Sequence, residues 1–180
     1  MIIAVFGSAY GVEGDPLYES ARQLGRLLGS AGHTIMTGGY CGTMEAASRG
    51  AVEAGAHTIG VTCAEIEAYR PTGANPWVRQ EMPTQTLTQR LDLLTRQADA
   101  CVALPGGIGT LCEVMLSLNL MVIGAVNART MILIGPAWRA TFDAFFNAND
   151  GFVPSSAREL VHFANSPEEV SALLNKSLEL

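Results

Sequence analysis

A glycine-rich turn between a predicted strand and a predicted helix is the segment best suited to bind an anion. The strand Ala100–Leu104 runs into this turn, and helical periodicity resumes at Leu111. Glycines let the backbone approach a ligand, and the first N–H groups of a helix favour negative charge. The turn is therefore predicted to bind the phosphate of a nucleotide-like ligand, through Gly106, Gly107, Gly109 and Thr110. A tight strand-to-helix connection without a ligand is the alternative.

Two further turns rich in small residues also follow predicted strands. One comes after the first strand, and the other links the strand His33–Thr37 to the next helix. Because ligands of open α/β sheets bind at the carboxyl ends of the strands, the three turns predict one cradle. Its further candidate binding residues are Gly7, Ser8, Gly38, Gly39, Gly42 and Thr43. The turns lack GxGxxG spacing, and no acidic residue closes the second strand, so NAD is disfavoured.

Glu113 and Arg90 are the candidate catalytic residues. Glu113 lies three residues after Thr110, on the same side of the helix, where a bound phosphate would repel a carboxylate. Catalysis would explain this placement, and a capping role for the backbone is the alternative. Arg90 lies at the edge of the apolar stripe that Leu87 and Leu94 mark on the preceding helix. Its side chain either reaches the sheet edge or is an ordinary surface arginine.

Composition excludes several classes of function. The chain has 180 residues, of which 48% are hydrophobic, and we expect a single nucleotide-binding domain over residues 1–180. The net charge of -6 and the lack of a Lys/Arg cluster argue against a nucleic-acid partner, but a small anionic ligand is compatible with them. Lys176 is the sole lysine and lies near the C-terminus, so neither a pyridoxal-phosphate Schiff base nor a Walker A loop can form. No cofactor is predicted.

The cysteines and histidines predict neither disulfides nor a metal site. The four cysteines form no CxxC pair, and each of the three histidines flanks a strand without a second ligand at metal spacing. Free thiols are typical of a reducing compartment. The sequence starts directly with a strand-like run, and no apolar run approaches about 18 residues. We therefore expect a cytoplasmic protein with no membrane partner.

Apolar strand-like runs alternate with segments of helical period along the whole chain. The predicted strands are Ile2–Gly7, His33–Thr37, Thr58–Thr62, Ala100–Leu104, Met131–Ile134 and Leu160–Phe163. The predicted helices are Tyr18–Ser30, Met44–Ala54, Leu87–Gln97, Leu111–Ile123, Trp138–Asn147 and Pro167–Leu174. This alternation predicts an α/β fold, a doubly wound Rossmann-like parallel sheet with helices on both faces. Between Ala64 and Pro83 the periodicity lapses, which predicts a loop that forms a rim or lid over the site.

These residues together resemble the Lonely Guy (LOG) family. That family's signature, PGGxGTxxE preceded by an arginine, is matched by the run from Pro105 to Glu113 and by Arg90. The N-terminal half agrees as well, at Gly7-Ser8, in the turn from Gly38 to Met44, and at Gly60-Val61. The likeness covers about the first 135 residues.

The resemblance implies a phosphoribohydrolase that cleaves the N-glycosidic bond of a nucleoside 5'-monophosphate, giving free base and ribose 5-phosphate. Family members need the two residues that match Arg90 and Glu113 for activity. They are usually dimeric, so a homodimer or higher homo-oligomer is implied, often with a site completed near the subunit interface. Members are often labelled lysine decarboxylases, and the missing active-site lysine argues against that label here.

Two places depart from the cytokinin-activating members of the family. Leu87 and Leu91 stand where those members commonly have a methionine and a lysine. The second glycine turn, from Gly38 to Glu45, also lacks their run of three glycines. The chain looks more like a bacterial branch of the wider superfamily, which also contains molybdenum-cofactor carrier proteins. The alternative function is therefore a non-catalytic binder or carrier of a nucleotide or a molybdenum-cofactor-like pterin phosphate.

Overall fold

Helices cover both faces of an all-parallel sheet in the computed structural model, which describes residues 1–128 and 130–177. The strands are β1 (Ile2–Phe6), β2 (Thr34–Thr37), β3 (Thr58–Cys63), β4 (Gln80–Thr84), β5 (Ala100–Ala103), β6 (Met131–Ile134) and β7 (Val161–Ala164). The helices are α1 (Pro16–Ser30), α2 (Thr43–Glu53), α3 (Ala64–Tyr69), α4 (Leu87–Arg96), α5 (Ile108–Val122), α6 (Pro136–Ala148), α7 (Ser155–Glu159) and α8 (Pro167–Ser177).

The strand order explains where a ligand can bind. The sheet runs β4-β3-β2-β1-β5-β6-β7, and every neighbouring pair is parallel. The chain therefore winds from β1 outward to β4, and then crosses back to build the other half from β5. Between β1 and β5 the connections leave in opposite directions, which opens a crevice at the carboxyl ends of these two strands.

Two apolar cores hold the helices against the sheet. On one face, α1, α2 and α8 pack through residues such as Leu24, Ala47 and Val170. On the other face, α4, α5 and α6 contribute side chains that include Val114 and Phe142. The inner strands β5 and β6 are buried along their whole length, as expected for parallel strands with helices on both sides.

The predicted α/β fold is confirmed, and all six predicted strands and all six predicted helices are present. The start of α5 differs in a way that affects the site. This helix begins at Ile108 and not at Leu111, so Gly109 and Thr110 belong to its first turn. Leu87, which the sequence places in the apolar stripe of α4, is the first residue of that helix and is 42% exposed, whereas Arg90 and Leu94 further along the same side are buried.

The prediction of one long loop from Ala64 to Pro83 is wrong in part. The helix α3 follows β3 directly, and β4 adds an edge strand beside β3. Neither has a clear sequence pattern, because α3 buries no residue and β4 is mostly exposed and contains Pro83, which an edge strand tolerates. The short helix α7 was not predicted either. The single domain over residues 1–180 stays a prediction, and Arg129 and residues 178–180 lie outside the described residues.

Over the described ranges, no helix combines the length and the apolar character that a membrane crossing needs.

Candidate active site

The three glycine-containing turns meet at the carboxyl edge of the sheet, because β2, β1 and β5 are neighbours in it. A cavity of about 300 Å³ opens there. That volume lies at the lower end of the range typical of small-molecule sites. The cavity lies at the crevice between β1 and β5, so the fold places it where a doubly wound sheet binds its ligand.

The N-terminus of α5 supplies hydrogen-bond donors to this cavity. Gly107 is the N-cap of the helix, and no side chain caps it. The first four N–H groups of a helix have no acceptor inside the helix, and here they belong to Gly107, Ile108, Gly109 and Thr110, all of which line the cavity. The positive end of the dipole of a 15-residue helix thus faces the cavity. This end of the cavity suits a phosphate group.

The turn after β2 supports the turn after β1. The backbone N–H and the hydroxyl of Thr43 both donate to the carbonyl oxygen of Ser8, at 2.9 Å and 3.0 Å. Gly7 leaves the space that the Thr43 side chain fills. At Gly42 the backbone has a φ of +71°, and a Cβ there would come within 2.5 Å of the Ser8 carbonyl oxygen. These contacts hold the two turns together and fix the wall of the cavity that Ser8 forms.

Arg90 reaches the cavity from α4 and is only 5% exposed, so the alternative of a surface arginine is excluded. Its Nε donates to the carbonyl oxygen of Val61 at 2.8 Å, and its Nη1 donates to Glu113 at 3.2 Å. The guanidinium lies over the ring of Tyr40, 5.8 Å from the ring centre. Gly38 is required beside it, because a Cβ at that position would overlap the guanidinium.

Glu113 lies in the second turn of α5 and shares the cavity with Thr110. Its carboxylate accepts the hydrogen bond from Arg90 and does not cap the helix, so the capping alternative is also excluded. Glu113 is 7% exposed, and burial raises its pKa to about 7 while the Arg90 guanidinium opposes the rise. The carboxyl group can therefore exchange a proton near neutral pH.

Tyr40 is a cavity residue that the sequence did not single out. Its hydroxyl accepts from the backbone N–H of Cys63 at 2.7 Å and lies 3.2 Å from a carboxylate oxygen of Glu67. Burial raises the pKa of Tyr40 to about 12, so the hydroxyl stays neutral. The ring fills the space beneath Arg90 and holds its guanidinium toward Glu113.

The cavity brings together seven of the twelve predicted site residues. These are Gly7, Ser8, Arg90, Gly107, Gly109, Thr110 and Glu113. The other five lie just behind it and act through close packing: Gly38, Gly39, Gly42, Thr43 and Gly106. Seven lining residues were not predicted: Ala9, Tyr10, Tyr40, Met44, Ile66, Arg70 and Ile108. Two of these seven, Ile66 and Arg70, come from the segment predicted as a rim, and they do form one side of the cavity.

The described residues contain no group of three or more His, Cys, Asp or Glu side chains that could hold a metal ion.

The fold and the cavity define a Rossmann-like α/β protein with a helix N-terminus that no side chain caps and a buried Arg–Glu pair at its switch point. The model of the SLOG cluster4 family (LDcluster4) matches residues 1–144. The chain belongs to this LOG-like family, and the resemblance seen in the sequence is confirmed.

Similar proteins fall into two functional groups. A cytokinin riboside 5'-monophosphate phosphoribohydrolase of Arabidopsis thaliana is 26% identical over 151 residues, which cover 79% of this chain and 67% of that protein. A pyrimidine/purine nucleotide 5'-monophosphate nucleosidase of Escherichia coli strain K12 is 30% identical over 91% of this chain, which spans only 38% of the relative. The solved molybdenum cofactor binding protein of Rippkaea orientalis superimposes with a TM-score of 0.76 at 27% identity, covering 98% of this chain and 96% of that one.

Proposed function

We propose that this protein is a hydrolase that cleaves the N-glycosidic bond of a nucleoside 5'-monophosphate, preferably a purine nucleotide, to free base and ribose 5-phosphate. The observation that carries the proposal is the buried carboxyl group of Glu113, which lines the cavity beside the N-terminus of α5 and pairs with Arg90.

The phosphate would bind at the N-terminus of α5. Gly107, Ile108 and Gly109 are exposed and line the cavity, their N–H groups have no backbone acceptor within residues 1–128 and 130–177, and the Thr110 hydroxyl adds a donor. From the other wall, the hydroxyl of Ser8 accepts from the N–H of Tyr10 at 3.0 Å, which leaves its proton for a phosphate oxygen. All these donors are neutral, so the phosphate charge itself is met by the helix dipole.

The Arg90–Glu113 pair fits the chemistry of glycosidic hydrolysis. As the bond between C1' and the base nitrogen breaks, its electron pair moves to the base and positive charge develops on the ribose. The Glu113 carboxylate would stabilise that charge, and would orient or deprotonate the water whose oxygen bonds to C1'. Arg90 would offset negative charge on the departing base or on substrate oxygens. The proton released from water finally resides on the free base or in solvent.

The comparisons support this reaction class. The Arabidopsis and E. coli relatives are named as a phosphoribohydrolase and a nucleotide nucleosidase, and both names describe removal of the base from a nucleoside 5'-monophosphate. Because this chain spans 67% and 38% of those proteins, their whole activities and substrates are carried over only as part of the proposal.

The decisive experiment measures release of free base and ribose 5-phosphate from a panel of nucleoside 5'-monophosphates by chromatography. Glu113→Gln should lower the rate by about 10²- to 10⁴-fold, the usual loss for a general base. Glu159→Gln at the exposed end of α7 is a matched control that should not change the rate. Absence of base release from every nucleotide, or an unchanged rate in Glu113→Gln, would exclude the hydrolase.

A second candidate function is a binder or carrier of a pterin phosphate such as molybdenum cofactor. The close superposition on the Rippkaea orientalis protein over nearly the whole chain favours it. The same α5 N-terminus would hold the phosphate of such a cargo. Mass spectrometry of the ligand extracted from protein purified from its native source distinguishes the two functions, because a carrier should retain a pterin.

We also propose that the protein forms a homodimer or a higher homo-oligomer and that it resides in the cytoplasm. An exposed apolar surface along α5 and α6 supports self-association. It consists of Leu111, Val122, Ile123, Phe145 and Phe152, and two adjoining hollows share Met115 and Phe145. Light scattering should give at least twice the mass of one chain. The four free cysteines are consistent with a reducing compartment.

A further inference from the structure

Arg70 is a cation of the cavity that the proposed chemistry does not use. It directly follows α3, and its backbone N–H closes that helix by donating to the Ile66 carbonyl oxygen at 2.8 Å. Arg70 is a half-buried residue of the cavity lining, and its Nε is buried without a hydrogen-bond partner in the described part of the chain. A buried guanidinium donor without an acceptor is costly unless a ligand supplies one.

The contrast with Arg90 shows why Arg70 is the cation available to a ligand. Arg90 has an acceptor at Val61 and an ion pair with Glu113. For Arg70, no carboxylate oxygen among residues 1–128 and 130–177 lies within ion-pair distance. The Arg90–Glu113 pair is neutral overall when both groups are charged, so Arg70 supplies an unmatched positive charge to the cavity wall.

Arg70 and the phosphate-binding end of α5 lie on different sides of the cavity. The helix α3 continues from β3, whereas α5 follows β5, and β2 and β1 lie between these two strands. Three strand spacings amount to about 14 Å along the sheet edge. A mononucleotide whose phosphate is at α5 therefore presents its other end, the base, toward the side that carries Ile66 and Arg70.

The chain beyond Arg70 is anchored, which keeps this side of the cavity in place. Asn75 is 8% exposed, and its amide Nδ2 donates to the carbonyl oxygens of Gly39 and Tyr40 at 3.0 Å and 2.9 Å. Its Oδ1 accepts from the backbone N–H of Trp77 at 3.0 Å. These bonds tie the segment after Arg70 to the second glycine turn.

We propose that Arg70 recognises the base of the nucleotide through a pair of hydrogen-bond acceptors, the O6 and N7 atoms of a 6-oxopurine. A guanidinium offers only donors, in a planar fork that matches two adjacent acceptors. Guanine and hypoxanthine carry O6 beside N7, whereas adenine places a donor at the O6 position. The site thus prefers GMP and IMP to AMP. This inference rests on the proposed nucleoside monophosphate site.

The test separates base recognition from hydrolysis. Equilibrium dialysis with GMP, IMP and AMP uses the Glu113→Gln variant, in which the nucleotides stay intact. GMP and IMP should bind about 5- to 140-fold more tightly than AMP, the range for one bidentate contact. Adding Arg70→Gln should reduce that ratio to near unity. Arg70→Lys should also lose it, because lysine keeps the charge without the fork. Arg79→Gln, at an exposed residue beyond the anchored segment, is the matched control and should keep the ratio.

Each contrary outcome has a definite meaning. Equal binding of GMP and AMP, tighter binding of AMP, or a ratio that survives Arg70→Gln overturns the assignment of Arg70 and leaves the hydrolase proposal standing. An equal loss of affinity for all three nucleotides in Arg70→Gln also overturns it, since Arg70 would then contact the phosphate or ribose. If no nucleotide binds and none is hydrolysed by the unmodified protein, the proposed function itself fails.

Discussion

Replacing Arg90 with methionine removes the counter-charge of a carboxyl group that is 7% exposed. Methionine fills similar space, so the main change is electrostatic. Two costs follow. The buried carbonyl oxygen of Val61 loses its donor, which lowers the free energy of unfolding by about 1–3 kcal/mol at every pH. Glu113 loses its ion pair, and the cost of that loss depends on pH.

The magnitude follows from the pKa of Glu113. Its value rises from 4.5 to about 7 in the folded protein, so between these pH values the folded state keeps a proton that the unfolded chain releases. The free energy of unfolding therefore falls by about 1.4 kcal/mol per pH unit, about 3 kcal/mol in all, and this contribution is constant above the folded pKa. Without Arg90, an attraction of about 5 kcal/mol at an effective dielectric constant of 20 is lost, and the pKa rises further. In Arg90→Met the free energy of unfolding therefore continues to fall above neutral pH, by about 3 kcal/mol more over two pH units.

Urea unfolding at several pH values from about 5 to about 9 tests this reasoning. The difference in free energy of unfolding between the unmodified protein and Arg90→Met should widen above neutral pH. The double variant Arg90→Met/Glu113→Gln should show no such widening, because it has no carboxyl group to titrate. A difference that is the same at neutral pH and two units higher would refute the titration of Glu113 in the folded state.

Three further predictions concern activity and packing. The acidic limb of kcat/KM should show an apparent pKa of about 7, because Glu113 must be ionised to act, and Glu113→Gln should remove that limb from any residual rate. Gly38→Ala should displace the Arg90 guanidinium, which lowers the rate of hydrolysis and lowers the free energy of unfolding by about 1–3 kcal/mol. Gly73→Ala is the control and should change neither quantity, because no atom lies within 4 Å of its added Cβ. Asn75→Ala should cost about 1–3 kcal/mol in urea unfolding, because the Tyr40 carbonyl oxygen loses the side-chain donor and the Gly39 carbonyl oxygen keeps only the backbone N–H of residue 75; an unchanged midpoint would contradict the anchoring role.

The repeated strand–helix pattern made the sheet and its covering helices predictable from sequence. Long apolar runs such as β1 and β6 are buried on both sides and therefore keep their signal without alternation. The elements that escaped prediction have no such signal. The edge strand β4 is polar and mostly exposed, and α3 has six residues and buries none. Only the neighbouring β3 makes β4 a strand, and periodicity cannot report that contact.

The candidate site was predictable to a smaller extent. Glycine turns indicate close backbone approach, and Glu113 and Arg90 were candidates from their positions near the turn and beside the apolar stripe, to which the family resemblance added. Their pairing could not follow from spacing, because the two side chains come from different helices and meet only when α4 and α5 pack on the same face of the sheet. Tyr40 and Arg70 lacked a sequence signal for a different reason. Tyr40 lies in a turn and owes its place in the cavity to its tertiary contact with Cys63, whereas Arg70 follows the short helix α3, which has no apolar pattern.

The Arg90–Glu113 pair also bears on the choice between an enzyme and a carrier. A protein that only holds a phosphate gains nothing from a buried carboxylate near the same helix terminus, because two like charges repel in a medium of low dielectric constant. A bound phosphate would raise the pKa of Glu113 further, and Arg90 opposes that rise at 3.2 Å. The ionised Glu113 carboxylate beside the ligand therefore lowers the affinity for a phosphate. That cost is offset only if the carboxylate acts on the ligand, so Glu113→Gln should bind nucleoside monophosphates at least as tightly as the unmodified protein while it loses hydrolysis.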